Sequence, residues 1–113
     1  MIHSPLAVLK VEADPDKKTI FISFADKTEI SSNNPGISAK EIWQRIEACG
    51  LDFTQIDFDL SSVEYLGAAG CGILASLASR AKNSGMILMI SGASDEIRNV
   101  LEICKFPEIM TIR

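Results

Sequence analysis

The sequence is poor in the residues that most often carry catalysis or bind metals. Its 113 residues include one histidine, His3, and three cysteines, Cys49, Cys71 and Cys104. A single histidine so near the N-terminus is more often unpaired than catalytic. The cysteines are odd in number, widely separated and form no C-x-x-C pair, which predicts reduced, mostly packed thiols rather than a disulfide framework or a zinc site. We therefore expect no metal, no cofactor and no catalytic residue.

The sequence also lacks a long apolar run and a cluster of basic residues. Its longest apolar stretch, Met86 to Ile90, is far shorter than the roughly 20 residues of a membrane-spanning helix. The N-terminal residues show no secretory signal pattern, so a cytoplasmic protein without membrane insertion is expected. The net charge is −4 and the lysines and arginines are scattered, which argues against nucleic acid as a partner.

The composition and length are those of a folded single domain. Hydrophobic residues make up 47% and charged residues 23% of the chain. A chain of 113 residues can bury one core without disulfides and is too short for a second core. One domain covering residues 1–113 is expected.

Local patterns predict a mixed sheet of four to five strands with about three main helices, in the order β-β-α-β-α-β-α-β. Alternating or continuous apolar residues indicate strands, while capping residues before apolar stripes indicate helix starts at Ser38 and Ser94. The stretch Asp14-Pro15-Asp16-Lys17 is expected to be a turn that joins the first two strands into an antiparallel hairpin. The polar stretch 26–37 is expected to be an exposed loop. The predicted strands are 6–11, 19–24, 54–60, 86–90 and 108–112, and the predicted helices run from 38 to 48, from the end of the glycine-rich turn to 83, and from 94 to before Pro107.

The rest of the chain is organised around residues 59–83. Here a strand end leads into Gly67-Ala68-Ala69-Gly70, read as a turn, and then into a helix with an apolar stripe that begins at Ile73. Such a turn brings a helix N-terminus to the carboxyl end of a strand, where ligands and partners usually dock in open α/β sheets. This pattern is α/β and predicts a binding edge.

The segment Asp59 to Leu74, DLSSVEYLGAAGCGIL, together with RAKNSG from Arg80 and LEIC from Leu101, resembles a STAS domain of the anti-sigma factor antagonist type. The resemblance covers roughly residues 6–113 and includes the order of elements. It implies a bacterial regulatory protein that binds a serine kinase which also holds a sigma factor. Binding then frees the sigma factor, and phosphorylation of a serine in the turn abolishes binding.

The turn departs from the pattern of that family. The family's Asp-Ser-Ser-Gly or Asp-Ser-Thr-Gly falls on Gly67-Ala68-Ala69-Gly70, so the regulated serine corresponds to Ala68 and the acidic residue to Gly67. A further departure places Lys105 where the family has a glycine after the third helix. The resemblance implies a partner-binding segment with no hydroxyl at the usual position, made of Leu66, Gly67, Ala68, Ala69, Gly70, Cys71 and Gly72.

Other interpretations of these residues stay open at this stage. The glycine-rich segment can be a purely structural turn or an anion site, although it lacks a phosphate-binding motif. Cys71 can be a packed thiol or a nucleophile at a helix start. Asp57 and Asp59 can be solvated or paired carboxylates, ligands of a metal ion, or an acid–base pair. Trp43 can belong to the core or to a partner surface.

The hypothesis that fits best is a non-enzymatic, cytoplasmic module of transcription regulation and signal transduction. It binds a protein partner, an anti-sigma serine kinase, through residues 66–72 and is not switched off by phosphorylation there. The alternative is a cytoplasmic STAS accessory subunit of a membrane transporter, such as a lipid ABC system or an anion transporter. The residues leave the oligomeric state open, and Ser61, Ser62 and Ser76 remain as other phosphate acceptors near the segment.

Overall fold

The computed structural model describes residues 9–25, 27–30, 38–50 and 52–113. These ranges form a single α/β domain with three helices and a mixed sheet of five strands, which confirms the predicted fold class. The elements are β1 Leu9–Asp14, β2 Thr19–Phe24, β3 Thr28–Ile30, α1 Ala39–Glu47, β4 Gln55–Asp59, β5 Val63–Leu66, α2 Ala68–Asn83, β6 Ile87–Ser91, α3 Asp95–Ile103, a short 3₁₀ helix Phe106–Glu108, and β7 Thr111–Ile112.

The main sheet has the strand order β1-β2-β4-β6-β7. β1 and β2 form an antiparallel hairpin, as predicted, and the later neighbours pair in parallel. The hairpin turn is held by Asp14, whose Oδ1 accepts hydrogen bonds from the backbone N–H groups of Asp16 and Lys17 at 3.1 and 3.2 Å. An Asp in this position stabilises a turn without distant contacts.

Two helices begin where their capping residues predict. The Ser38 Oγ accepts a hydrogen bond from the Glu41 N–H at 3.2 Å, and the Ser94 Oγ accepts one from the Ile97 N–H at 3.2 Å. Each bond satisfies a backbone donor that a helix start leaves without an intrahelical partner. The predicted starts of α1 and α3 are therefore confirmed.

The core lies between the sheet and the helices. The inward side chains of β2 and β4, among them Ile22, Ile56 and Phe58, are fully buried, and α2 packs against β6 and α1. Trp43 on α1 is 8% exposed and belongs to this core, so its interpretation as a core residue is confirmed.

Two strands escape the sequence prediction. Thr28–Ile30 forms β3 inside the stretch predicted as an exposed loop, and Val63–Leu66 forms β5 directly before α2. They pair in parallel as a separate two-stranded sheet. Strands of three and four residues are too short to show a clear alternation of apolar and polar residues. Each of them also pairs with a strand more than 30 residues away in the sequence. The loop prediction is thus wrong for residues 28–30, while residues 26 and 31–37 lie outside the described ranges.

The ends of the chain differ from their predicted bounds. β1 continues to Asp14 rather than ending at residue 11, and the predicted residues 6–8 lie outside the described ranges, as does His3. At the other end, Glu108 belongs to the 3₁₀ helix rather than to β7. Lys105, which precedes that helix, has a φ of +60°, a left-handed conformation that glycine adopts at no steric cost. The chain therefore turns sharply after α3.

Candidate functional site

The glycine-rich segment is the beginning of α2 rather than a turn before it. Gly67 is the N-cap and the helix starts at Ala68, so Ala68, Ala69 and Gly70 already form its first turn. The Cys71 N–H donates to the Gly67 carbonyl at 2.9 Å, the first hydrogen bond of the helix. The prediction that residues 67–70 form a turn before the helix is therefore wrong. Glycine and alanine occur both in turns and at helix starts, so a stretch of four such residues does not distinguish the two.

Gly70 is required by packing. A Cβ atom at this position would overlap the Ile30 carbonyl oxygen and would lie 2.6 Å from the Leu66 Cδ1. The helix can approach β3 this closely only because residue 70 has no side chain. A second contact fixes the same junction, since the Gly67 N–H donates to the Ile30 carbonyl at 2.9 Å. The start of α2 is thus held by a strand that the sequence does not reveal.

The predicted contact segment divides into an interior part and an exposed part. Leu66, Gly67 and Gly70 are buried and Cys71 is half-buried. The three exposed residues of the segment are Ala68, Ala69 and Gly72. These small side chains leave the first turn of α2 open to close approach by another molecule.

An exposed tyrosine beside this turn was missed in the sequence. Tyr65 on β5 is 55% exposed, and its neighbour Glu64 is also exposed. Large exposed aromatic side chains are enriched among residues that dominate protein interfaces. The signal available in the sequence is its position immediately before the Leu66–Gly72 segment, in the run V-E-Y-L.

The start of α2 carries no compensating negative group of its own. Its first turn contains no acidic residue, and the N-cap Gly67 makes no side-chain hydrogen bond. The exposed backbone N–H groups and the positive end of the helix dipole are therefore not neutralised by the helix itself.

The two aspartates of β4 have structural partners. Asp57 is 9% exposed, accepts a hydrogen bond from the Ser91 Oγ at 2.9 Å, and lies 4.0 Å from the Arg113 guanidinium. Asp59 accepts a hydrogen bond from the Ser61 N–H at 2.9 Å. These contacts favour the interpretation of both residues as paired carboxylates over an acid–base pair.

The pKa of the Cys71 thiol is raised, whereas that of a nucleophilic cysteine is lowered. The Cys71 pKa is raised to about 11, mainly by burial and in smaller part by a hydrogen bond and charge repulsion from the neighbouring Cys104 thiol. A catalytic cysteine needs a lowered pKa. Although 33 residues separate them in sequence, the Cys71 and Cys104 Sγ atoms lie 3.6 Å apart as free thiols. Within the described ranges, no three His, Cys, Asp or Glu side chains cluster in a way that could bind a metal ion.

No helix in the described part of the chain combines the length and the apolar character that crossing a bilayer demands.

Solved structures with the same fold include anti-sigma factor antagonists. The Bacillus protein SpoIIAA in its unphosphorylated form superposes with a TM-score of 0.63 at 13% identity, covering 93% of this chain and 86% of that chain. Its phosphorylated form gives a TM-score of 0.63 at 13% identity, with 93% and 90% covered. TM1081, a candidate anti-sigma factor antagonist of Thermotoga maritima, gives a TM-score of 0.70 at 15% identity, with 97% and 89% covered.

A comparison with curated protein sequences finds no match. The family model of the STAS domain, however, matches residues 17–113. This range contains every described element from β2 to β7, including α1, α2 with its start, and α3, while β1 lies before it. The chain belongs to the STAS domain family.

Proposed function

We propose that this STAS domain is a non-enzymatic regulator that binds an anti-sigma serine kinase through the start of α2. The observation that carries the proposal is the exposure of Ala68 and Ala69 at an uncapped helix start. The fold shared with SpoIIAA, an anti-sigma factor antagonist, supports it. In this proposal the chain meets its partner in the bacterial cytoplasm, where kinases of this kind and sigma factors act.

The contact surface in this proposal consists of Tyr65, Ala68, Ala69 and Gly72, named here the α2-start surface. Small residues let a partner backbone approach closely, and the free N–H groups of the first turn can donate to partner oxygens. Tyr65 adds an aromatic side chain that can fill a partner pocket. Leu66 and Gly70 are buried and do not contact the partner; they support the surface because they allow the helix to pack against β3.

The proposal includes the loss of the usual switch. Neither Ala68 nor Ala69 has a hydroxyl group, so no phosphate ester can form at the exposed positions of the first turn. Phosphate there would place about −1.5 to −2 charges against the partner and weaken the contact. Without it, the module stays competent for binding whenever its kinase is present.

Restoring the hydroxyl tests this assignment. The wild-type chain and the Ala68→Ser variant are incubated with the purified serine kinase encoded in the same genome and with labelled ATP, and phosphate is mapped by mass spectrometry. We expect label on residue 68 of the variant and none on wild type. Phosphate mapped reproducibly to Ser61, Ser62 or Ser76 of wild type, with loss of kinase binding, would contradict constitutive binding.

The partner class is tested separately. The immobilised chain is exposed to native cell extract, and the retained proteins are identified by mass spectrometry beside an Ala68→Asp control. Retention of a serine kinase by wild type, and its loss with the control, supports the proposal. Retention of the ATPase subunit of a membrane transporter instead would replace it with the accessory-subunit function.

A further inference from the structure

Two cysteines from distant parts of the chain meet beside the α2-start surface. Cys71 lies in the first turn of α2, and Cys104 is the C-cap of α3. Their Sγ atoms are 3.6 Å apart, and both thiols are free. Cys104 is exposed, whereas Cys71 is half-buried. An oxidant in solution can therefore reach one sulfur directly and the other through it.

We propose that Cys71 and Cys104 form a reversible, redox-responsive pair that closes into a disulfide in the presence of a small disulfide oxidant such as oxidised glutathione. A disulfide requires sulfur atoms about 2.05 Å apart. The thiols must therefore approach each other by about 1.5 Å. Cys104 can supply this movement, since it is exposed and sits at a helix terminus, where backbone hydrogen bonding is incomplete.

The reaction proceeds by two thiol–disulfide exchanges. The Cys104 thiolate first attacks one sulfur of oxidised glutathione, which forms a mixed disulfide and releases one glutathione thiolate. The Cys71 thiolate then attacks the Cys104 sulfur and expels the second glutathione. Two electrons pass from the cysteines to the oxidant, and the two thiol protons end on the two released glutathione molecules. No other reactant is needed.

The environment of the pair sets this order. Burial and the neighbouring Cys104 keep the Cys71 thiol protonated, with its pKa raised to about 11, so exposed Cys104 reacts first. Once the Cys104 sulfur is joined to glutathione it can no longer ionise, so the repulsion between two thiolates that helps to raise the Cys71 pKa is removed. The first exchange thereby favours the second.

Closure would join the first turn of α2 covalently to the end of α3. The half-buried Cys71 lies between the exposed residues of the α2-start surface. Oxidation would fix the position of this surface and occupy the thiol beside it. The consequence that partner binding responds to redox state rests on the proposed function, whereas formation of the disulfide does not.

The test uses the full native chain and oxidised glutathione at increasing ratios to reduced glutathione. After acid quenching and alkylation of the remaining thiols, we expect a species without glutathione that has lost two hydrogens, with a Cys71–Cys104 cross-linked peptide. Dithiothreitol should reverse it. Accumulation of glutathione adducts without the cross-link, even at the highest ratio, would overturn the proposal.

Three variants make the result specific. Cys71→Ser should stop at the glutathione adduct on Cys104, and Cys104→Ser should give no cross-link. Cys49→Ser should behave as wild type, because the Cys49 thiol donates instead to the Arg45 carbonyl at 3.5 Å. The same loss of two hydrogens in Cys104→Ser would contradict the pairing. Circular dichroism confirms that each variant is folded.

A partner-binding measurement then separates the two proposals. Reduced and oxidised wild type are compared for affinity to the kinase, and a difference of tenfold or more is expected. Equal affinities would overturn redox control of binding. The Ala68→Asp variant, measured under reducing conditions, reports independently whether the α2-start surface is the contact.

Discussion

The helices of this domain begin in two different ways. α1 and α3 start at Ser38 and Ser94, whose hydroxyl groups accept hydrogen bonds from the first turn, and both have acidic residues there. α2 starts at Gly67 with no side-chain cap and no acid, and is held instead by contacts to Ile30. Local capping makes a helix start independent of the rest of the fold. Anchoring by tertiary contacts, in contrast, leaves the backbone N–H groups in the first turn of α2 without a capping side chain.

This difference fits a division between scaffold and surface. A serine cap and an acidic first turn satisfy the donors and dipole of a helix internally, so α1 and α3 offer little to an incoming group. At the start of α2, the backbone N–H donors of the first turn remain available to another molecule. The exposed residues there, Ala68 and Ala69, have small side chains that do not obstruct a partner. The proposed contact therefore uses the one helix start among the three that its own residues leave uncapped.

A negative charge on the exposed first turn should have the largest effect. Ala68→Asp places a carboxylate where the helix dipole favours it by about 0.3–1 kcal/mol, so the melting temperature should not fall. Against a close-packed partner, the unpaired charge should cost on the order of 2–5 kcal/mol, which weakens affinity well over tenfold. Titration calorimetry with the kinase measures this change.

The control for this variant lies at the other end of the same helix. Asn83 is exposed at the end of α2, so Asn83→Asp adds the same charge away from the proposed surface. It should leave affinity unchanged. If both variants bind equally well, the α2 start is not the interface.

The thiol in the first turn provides a second comparison, because a helix start usually activates cysteine. Here burial and Cys104 raise the Cys71 pKa from 9.0 to about 11. Alkylation by iodoacetamide at pH 8 should therefore be slower than for an ordinary thiol, by about a hundredfold from the thiolate fraction alone. Peptide mass spectrometry measures the rate, with exposed Cys104 as the internal reference.

The raised pKa of Cys71 also predicts how the free energy of unfolding depends on pH. The folded state keeps the Cys71 proton where the unfolded chain would lose it, so this contribution is complete below pH 9.0 and is lost as pH rises towards about 11. Fast alkylation of Cys71 at pH 8 in the folded protein would contradict both expectations and would revive a nucleophilic role.

Two glycines of the same helix should respond in opposite directions. Gly70→Ala forces a Cβ into the Ile30 carbonyl and should destabilise the fold by about 1–3 kcal/mol, even after the gain in helix propensity. Gly72→Ala meets nothing within 4 Å and should stabilise it by about 0.5–1 kcal/mol. Urea unfolding measures both, and equal effects would show that α2 is not anchored on β3.

Removal of a serine cap should have the smallest effect. Ser94→Ala deletes the acceptor for the Ile97 N–H and should cost about 1 kcal/mol of unfolding free energy. Affinity for the kinase should stay at the wild-type value, since Ser94 is not one of the residues of the proposed α2-start surface. Urea unfolding and calorimetry are again sufficient, and a large loss of affinity would move the interface to α3.

The sequence by itself determined the elements whose signals are local. The serine caps of α1 and α3, the Asp14 turn of the hairpin and the apolar patterns of β2, β4 and β6 act within a few residues, and the structure confirms each. Hydrogen bonds over such short separations form without reference to the rest of the chain.

The tertiary structure alone decided how distant segments meet. The β3–β5 pair, the burial of Gly70 under Ile30, the Asp57–Ser91 hydrogen bond and the approach of Cys71 to Cys104 join residues 33 or more positions apart. No period or capping pattern records such contacts, because they depend on how sheets and helices pack. For the same reason, only the structure shows that Ala68 and Ala69 face outward while their neighbouring glycines are buried.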